Sequence, residues 1–392
     1  MNNIEQEIER IYPEMVDRRR YLHRHPELSY QEKETSGYVA KRLEELGIPF
    51  RTGVGGYGVI GDIRGGRPGP VVALRADMDA LPIQDAKEAD YASTVPGVMH
   101  ACGHDAHTTT LLAVAEIMNG LKDKLSGSIR LLFQPAEEIS PGGAAPMIAE
   151  GALDGVDVVY GVHLWSPLPV GVAETRSGPF MAAADEFLIE IKGKGGHGGL
   201  PHQTVDSVLI GSQLVVNLQT IVARHIDPTE PSVVSVGSIH AGSSFNVIAE
   251  TCALNGTVRT FSIETRDRIR EQMRRISEQT CGMNGAEVIF DYKEGYPPVV
   301  NDQTETDRFF KVGATVFGED QVRQSPYIMA AEDFAYYLER VPGCFMFVGA
   351  GNRDAGITAP HHHPRFDIDE SSMKYAAKLL IGLALDYMNE RS

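Results

Sequence analysis

Four cysteines in 392 residues, Cys102, Cys252, Cys281 and Cys344, lie far apart and form no Cys-x-x-Cys pair. That spacing excludes a disulfide framework and fits a reducing compartment. Positive charge is also scarce: 36 Lys and Arg face 53 Asp and Glu, a formal net charge of −17. Phosphate backbones and anionic membrane surfaces are bound by clustered cations, so neither nucleic acid nor a membrane is expected as a partner. No run of about 20 apolar residues is present, and the opening Met1-Asn-Asn-Ile-Glu-Gln-Glu carries neither a basic nor an apolar leader pattern. The expectation is a soluble, cytoplasmic protein. No internal repeat or low-complexity tract interrupts the chain, and its length exceeds what one core usually spans, so two domains are expected.

Histidine is concentrated instead. His100-Ala-Cys102-Gly-His104-Asp105-Ala-His107 packs three imidazoles, a thiol and a carboxylate into eight residues. A buried cysteine beside helix-capping polar groups would explain one such pair, but not the whole cluster together with distant candidates of the same chemistry. Those candidates are Glu137-Glu138, His163 and the run His361-His362-His363. Thiolate, imidazole and carboxylate together suit Zn²⁺, Mn²⁺, Co²⁺ or Ni²⁺ rather than the all-oxygen preference of Mg²⁺ or Ca²⁺.

Hydrophobic patterning places these groups. Helical spacing covers 3–24 and 31–46, with Gly47 as a stop. Short apolar runs at 71–74, 128–133 and 156–163 read as strands ending near Asp77/Asp79, Glu137/Glu138 and His163, with a helix over 106–122 between the first two. Strand, helix, strand is the grammar of an α/β sheet, where reactive groups sit at strand ends. From 185 the order changes to strand 186–191, helix 204–223, strands 232–238 and 251–260, helix 264–281 and strand 287–292. That βαββαβ order is a ferredoxin-like unit inserted into the α/β domain. The expected division is therefore 1–184, 185–294 and 295–392, with further helices near 304–317, 332–340 and from 370, and a strand at 344–348.

The motifs His23-Arg-His-Pro-Glu-Leu, Arg75-Ala-Asp-Met-Asp-Ala-Leu-Pro82, His100 to His107, Gln134-Pro-Ala-Glu-Glu138, Gly195-Gly-His-Gly-Gly-Leu-Pro-His202 and His362-His-Pro-Arg-Phe-Asp-Ile-Asp-Glu370 occur in one order. In that order the chain resembles, over nearly its whole length, the aminoacylase/hippurate hydrolase/indoleacetyl-amino-acid hydrolase branch of the binuclear zinc-peptidase clan that includes carboxypeptidase G2-like enzymes. The resemblance implies a catalytic α/β domain with an inserted lid or dimerisation domain. It implies two divalent ions per subunit on Cys102, His104, Glu138, His163 and His362, the last selected by the family's His-x-Pro pattern. Cys102 matches the bridging position, Glu137 the general base and Asp79 a carboxylate orienting a ligand, while Asp77 stands where sister branches have a ligating histidine. His197 matches a histidine that stabilises the oxyanion from the partner subunit. Asn246 and Arg259 match the grip on a substrate's α-carboxylate. His202 and His240 are read as surface or structural, and Asp105 and His107 as structural. The implied activity is hydrolysis of small-molecule N-acyl amino acids by a homodimer or homotetramer. A metallocarboxypeptidase acting on short or N-acylated peptides is the alternative, and a non-catalytic metal-binding dimer the second. A zinc deaminase is excluded, since it needs His-x-Glu together with Pro-Cys-x-x-Cys, and the paired signature does not occur.

Overall fold

The computed structural model describes residues 2–391; Met1, Ser392 and the side chains of Asn2 and Asn3 lie outside the described residues. The chain divides into two compact units, one of residues 1–178, 300–326 and 333–392, the other of 179–299 and 327–332. The expected boundaries at 184/185 and 294/295 differ from these by five or six residues. The segment 327–332 also belongs with the second unit, because Ala182 N donates to Ile328 O and Ala330 O.

An eight-stranded mixed sheet organises the larger unit. Its strands lie in the order Phe50–Val54, Gly58–Arg64, Ser126–Gln134, Arg67–Asp77, Val158–Pro169, Gly343–Gly351, Ala173–Thr175 and Val322–Gln324. The four central strands are mutually parallel and buried on both faces, which is why Val71 to Leu74 and Cys344 to Val348 read as unbroken apolar runs. The helix His104–Gly120 is buried along most of its length, including its polar first two turns, and is packed with Asn2–Arg24 and Ser372–Glu390. The 332–340 stretch expected as a helix shortens to Ala335–Leu338.

Register brings the site residues level with one another. Asp77 ends its strand opposite Gln134, the last residue of the parallel neighbour. On the other side Arg75 pairs with Gly161, so two residues further on Asp77 is level with His163. The expectation that a strand terminates at His163 is corrected: the strand runs on to Pro169, because pairing with Gly343–Gly351 continues past it, and His163 sits opposite Phe347 within the ladder.

The second unit carries a four-stranded antiparallel sheet in the order Val233–Ala241, Thr251–Thr260, Ala183–Lys192, Glu287–Lys293, the strand order of a ferredoxin-like fold. Phe187, Ile189 and Ile191 alternate inward with Glu186, Leu188 and Glu190 outward, and the helices Ser207–Thr220 and Ile263–Met283 cover the inner face. Gly211 is required there, since a Cβ would stand 2.5 Å from Cys252 Sγ. Arg266 ties the second helix to the first strand, donating from Nε to Asp185 Oδ2 at 2.8 Å.

Candidate metal centre

Gly103, at φ +94°, turns the chain into the helix His104–Gly120 and sets Cys102 and His104 on the two sides of that turn. Ala136, at φ +53°, is a non-glycine residue in the left-handed region. It redirects the chain after the Ser126–Gln134 strand and so aims Glu137 and Glu138. Glu32 holds that bend, its Oε1 accepting from Ala136 N at 2.7 Å and from Tyr30 N at 3.0 Å. His362, at φ +63°, is anchored by donating its backbone N–H to Ala101 O at 2.9 Å, which docks the histidine triplet against the Cys102 turn.

Donor atoms converge from these segments. One ligand atom each of Cys102, His104 and Glu138 lies within 4.8 Å of the others, as do those of Cys102, His163 and His361. Cys102 Sγ is 3.4 Å from His163 Nε2. Glu138 Oε1 stands 3.7 Å from His104 Nε2 and 3.5 Å from His362 Nε2. Hydrogen bonds behind the rings fix which nitrogen faces inward. His163 Nδ1 donates to Leu164 O at 3.0 Å, leaving Nε2 toward the thiol. His104 Nδ1 donates to Asp79 Oδ1 at 3.2 Å, leaving Nε2 toward Glu138. Asp79 Oδ2 in turn accepts from Glu138 N at 3.0 Å and Ser29 Oγ at 2.6 Å.

His361 belongs to the same cluster, but its Nε2 accepts from Ser166 N at 3.1 Å and its ring stacks on Trp165 with centroids 4.5 Å apart. His363 Nδ1 accepts from Arg365 N at 3.0 Å. Of the triplet, His362 is the one whose Nε2 faces Glu138. His107 is held on both sides, donating from Nδ1 to Asp77 at 2.6 Å and accepting at Nε2 from Leu164 N at 2.8 Å. Asp77 also accepts from Arg75 at 2.5 Å. His100, fully buried, lies outside the donor groups, and burial lowers its pKa to about 4.

Electrostatics test whether this donor set fits cations. Burial raises the Cys102 pKa well above a free thiol, and Glu138, Glu137 and Asp77 add to the effect. Burial works against protonated His104, yet Asp77, Asp79 and Glu138 outweigh it and push the pKa up to about 10. Burial, then His107 and His361, drives the His163 pKa well down. Inside this negative surrounding, His104 Nε2 and Glu138 Oε1 are buried without a hydrogen-bond partner. Buried polar atoms left unpaired are costly, and lone pairs converging on one point are satisfied by a cation. The residues fit divalent metal.

Glu137 is buried, one of its carboxylate oxygens lies within 4.8 Å of one of Asp333, and its charge adds to the upward shift of the Cys102 pKa. The other three singled-out residues lie in the second unit. His197 is exposed on a two-residue strand, Gly196–His197, paired with Val247–Ile248, and its Nδ1 accepts from Gly199 N at 2.9 Å. Asn246 adjoins it, its backbone O accepting from Gly198 N at 2.8 Å. Arg259 stands apart on Thr251–Thr260, half-buried, donating to Met329 O at 3.2 Å, Val258 O at 3.1 Å and Thr257 Oγ1. It lines a cleft of about 600 Å³ on the open face of the sheet with Glu186, Leu188 and Ser235. His202 and His240 are exposed.

Sequence reasoning missed Ser29 and Glu32. Glu32 falls where 31–46 reads as helix, so its carboxylate looks like a cap; the side chain instead turns to Ala136, a contact across 104 positions that no local spacing signals.

The model of peptidase family M20/M25/M40 matches residues 73–386. The N-acyl-L-amino acid amidohydrolase of Geobacillus stearothermophilus is 48% identical over 299 residues, 75% of this chain and 80% of its own. Thermostable carboxypeptidase 2 of Saccharolobus solfataricus is 41% identical over 393 aligned positions, covering 100% of this chain and 99% of its own. The structure of Bacillus subtilis YXEP, described as a dinuclear metal-binding peptidase, matches with a TM-score of 0.85 at 36% identity, covering 97% of this chain and 99% of that one. Motif order, strand register and these likenesses meet on one conclusion: the chain belongs to peptidase family M20/M25/M40.

Proposed function

We propose that the protein is a metal-dependent amidohydrolase that cleaves N-acyl-L-amino acids to a carboxylate and a free amino acid. The observation that carries this is the convergence of Cys102, His104, Glu138, His163 and His362, with the carboxylate of Glu137, the residue before Glu138, buried as well. These five residues would hold two divalent ions, Cys102 being the donor that lies close both to His104 and Glu138 and to His163. The chemistry suits Zn²⁺, Mn²⁺, Co²⁺ or Ni²⁺. Such a pair supplies Lewis acidity, polarising the amide carbonyl and making water a nucleophile at neutral pH.

The remaining roles fall to the protein. Glu137 takes a proton from the attacking water and delivers it to the amine nitrogen as the carbon–nitrogen bond breaks. Asp79 and the Leu164 carbonyl hold His104 and His163 in the tautomers that turn Nε2 inward. His197 donates to the oxyanion, and Asn246 and Arg259 take the α-carboxylate, a planar guanidinium being matched to that anion.

We assign the protein to the cytosol as a homodimer or a homotetramer built from such dimers. All four cysteines are free thiols, and no helix among the described residues is long and apolar enough to cross a membrane. On the second unit Leu209 and Val216 of one helix and Ile239 of an edge strand are 53%, 67% and 44% exposed, a surface suited to a second copy.

The carboxypeptidase reading is favoured by the 41% identity to thermostable carboxypeptidase 2, and the same experiment addresses both. Metal-stripped protein reloaded with one cation at a time is assayed on N-acetyl and N-benzoyl amino acids, their α-amides, and dipeptides. The expected outcome is metal-dependent cleavage of free-acid N-acyl amino acids, little cleavage of the amides, and loss of that preference in Arg259→Ala. Faster cleavage of dipeptides would select the carboxypeptidase, and no cleavage in any metal would refute both.

A further inference from the structure

We propose that Arg19 is a positioning residue for the metal centre: one buried guanidinium that fixes the Cys102–His104 turn and the histidine-triplet segment relative to each other. The proposal rests on the ligand assignment above.

Arg19 lies on the opening helix, Asn2–Arg24, and is 0% exposed. Its three nitrogens reach carboxylates on two different segments. Nε donates to Asp105 Oδ2 at 2.9 Å, the residue after His104. On the other side NH2 donates to Asp367 Oδ1 at 2.8 Å and NH1 to Glu370 Oε1 at 3.3 Å, both just beyond the triplet. Each acceptor is held a second time. His23, one helical turn after Arg19, donates from Nδ1 to Asp105 at 2.7 Å. Tyr91 OH donates to Asp367 Oδ2 at 2.6 Å, and Arg20 grips both oxygens of Glu370 at 2.9 and 2.8 Å.

The opening helix thereby accounts for two stretches to which the chemistry above gives no role: His23 of the first motif, and Asp367 and Glu370 of the last. A fully buried ion pair is weak evidence of added stability, since desolvation offsets the attraction. What a forked, planar cation provides is direction: three fixed donor vectors that a lysine's single point charge cannot reproduce. The bonds go to the neighbours of the donor residues and leave the donors themselves facing the cluster. Arg266, the buried arginine of the second unit, offers a contrast, since its carboxylate partner is Asp185 of its own unit.

The test is cobalt titration of the metal-stripped full chain, reading affinity by chelator competition and geometry by the visible and thiolate charge-transfer absorption. Arg19→Lys and Asp367→Asn are expected to weaken Co²⁺ binding, by about 10-fold at the low end of the ~10–100-fold cost of losing a direct partner of a ligand because Arg19 acts one bond further out, and to change the absorption envelope. Arg266→Lys should lower the thermal midpoint while leaving both cobalt readings at wild-type values. Asp367→Asn removes a single acceptor near the surface and carries the test alone if Arg19→Lys does not fold. Wild-type affinity and spectrum in Asp367→Asn or a folded Arg19→Lys would overturn the proposal. An equal loss in Arg266→Lys would overturn it too, by showing general loosening. A wild-type protein that takes up no cobalt would refute the ligand assignment itself, a failure visible before any variant is compared.

Discussion

In the larger unit the singled-out residues are mostly buried, and the nitrogens and oxygens that face away from the donor cluster are hydrogen bonded: His104 to Asp79, His163 to Leu164 O, and Asp79 to Ser29 and Glu138 N. In the smaller unit His197 and Asn246 stand in solvent on a two-strand pairing two residues long, and the neighbouring Phe245 is 100% exposed. The first arrangement is preorganised, with geometry set before any ligand arrives. The second is exposed, with few contacts to fix its geometry. Perturbing the two units separately sharpens the contrast between them.

The largest effect is expected from the buried half. Glu137→Gln keeps size and hydrogen-bonding capacity but cannot take a proton, so kcat should fall by ~10²–10⁴ with both metals retained. Elemental analysis alongside steady-state kinetics checks this; near-normal turnover would remove Glu137 from the chemistry. The exposed half is expected to cost somewhat less. His197→Ala should lower kcat by about 10²–10³, the usual worth of one oxyanion donor, with metal content unchanged. If the donor acts on the partner's site, a heterodimer of one Glu137→Gln chain and one His197→Ala chain contains one intact site. Mixing the two inactive proteins under subunit exchange should then restore activity, whereas no recovery despite proven heterodimers would mean that His197 serves its own chain.

The smallest effect is on stability and distinguishes the halves by pH. Burial raises the Glu32 carboxyl to about 7, and its Oε2 is buried without a partner. A raised carboxyl pKa means that the folded state binds the proton more tightly than the unfolded state. Its contribution is full below the unfolded value near 4.5, and it is lost as pH rises through about 7. The shift corresponds to a loss on the order of 3 kcal/mol. Glu32→Gln, which stays neutral, should remove that slope, so chemical denaturation at pH 5 and pH 8 should show the variant gaining on the wild type at the higher pH. An unchanged difference between the two proteins across that range would show that Glu32 is ionised throughout. The same substitution should barely move the exposed loop's contribution to turnover.

Sequence alone carried the chemistry and the order of the parts. The density of donors in His100 to His107, the paired Glu137-Glu138, and the His-x-Pro pattern at His362 are local, because metal donors are a short list of residue types and their motifs are contiguous. The βαββαβ order was equally legible, since it rests on periods of 2 and 3.6 residues. What the tertiary structure alone decided are the contacts between distant segments. That His163 lies within a strand rather than at its end follows from pairing with Gly343–Gly351, and a strand's end depends on its neighbour's length. That Ala136 adopts φ +53° follows from Glu32, and that the Cys102 turn and the triplet share one buried arginine follows from a helix at the other end of the chain. Within the triplet, too, the structure distributes partners that the motif does not reveal: His362 Nε2 stands 3.5 Å from Glu138 Oε1, Ser166 N donates to Nε2 of His361 while its Nδ1 is buried without a partner, and Arg365 N donates to Nδ1 of His363. Hydrogen-bond partners of this kind are set by burial and register across the whole fold, quantities that no window of sequence contains.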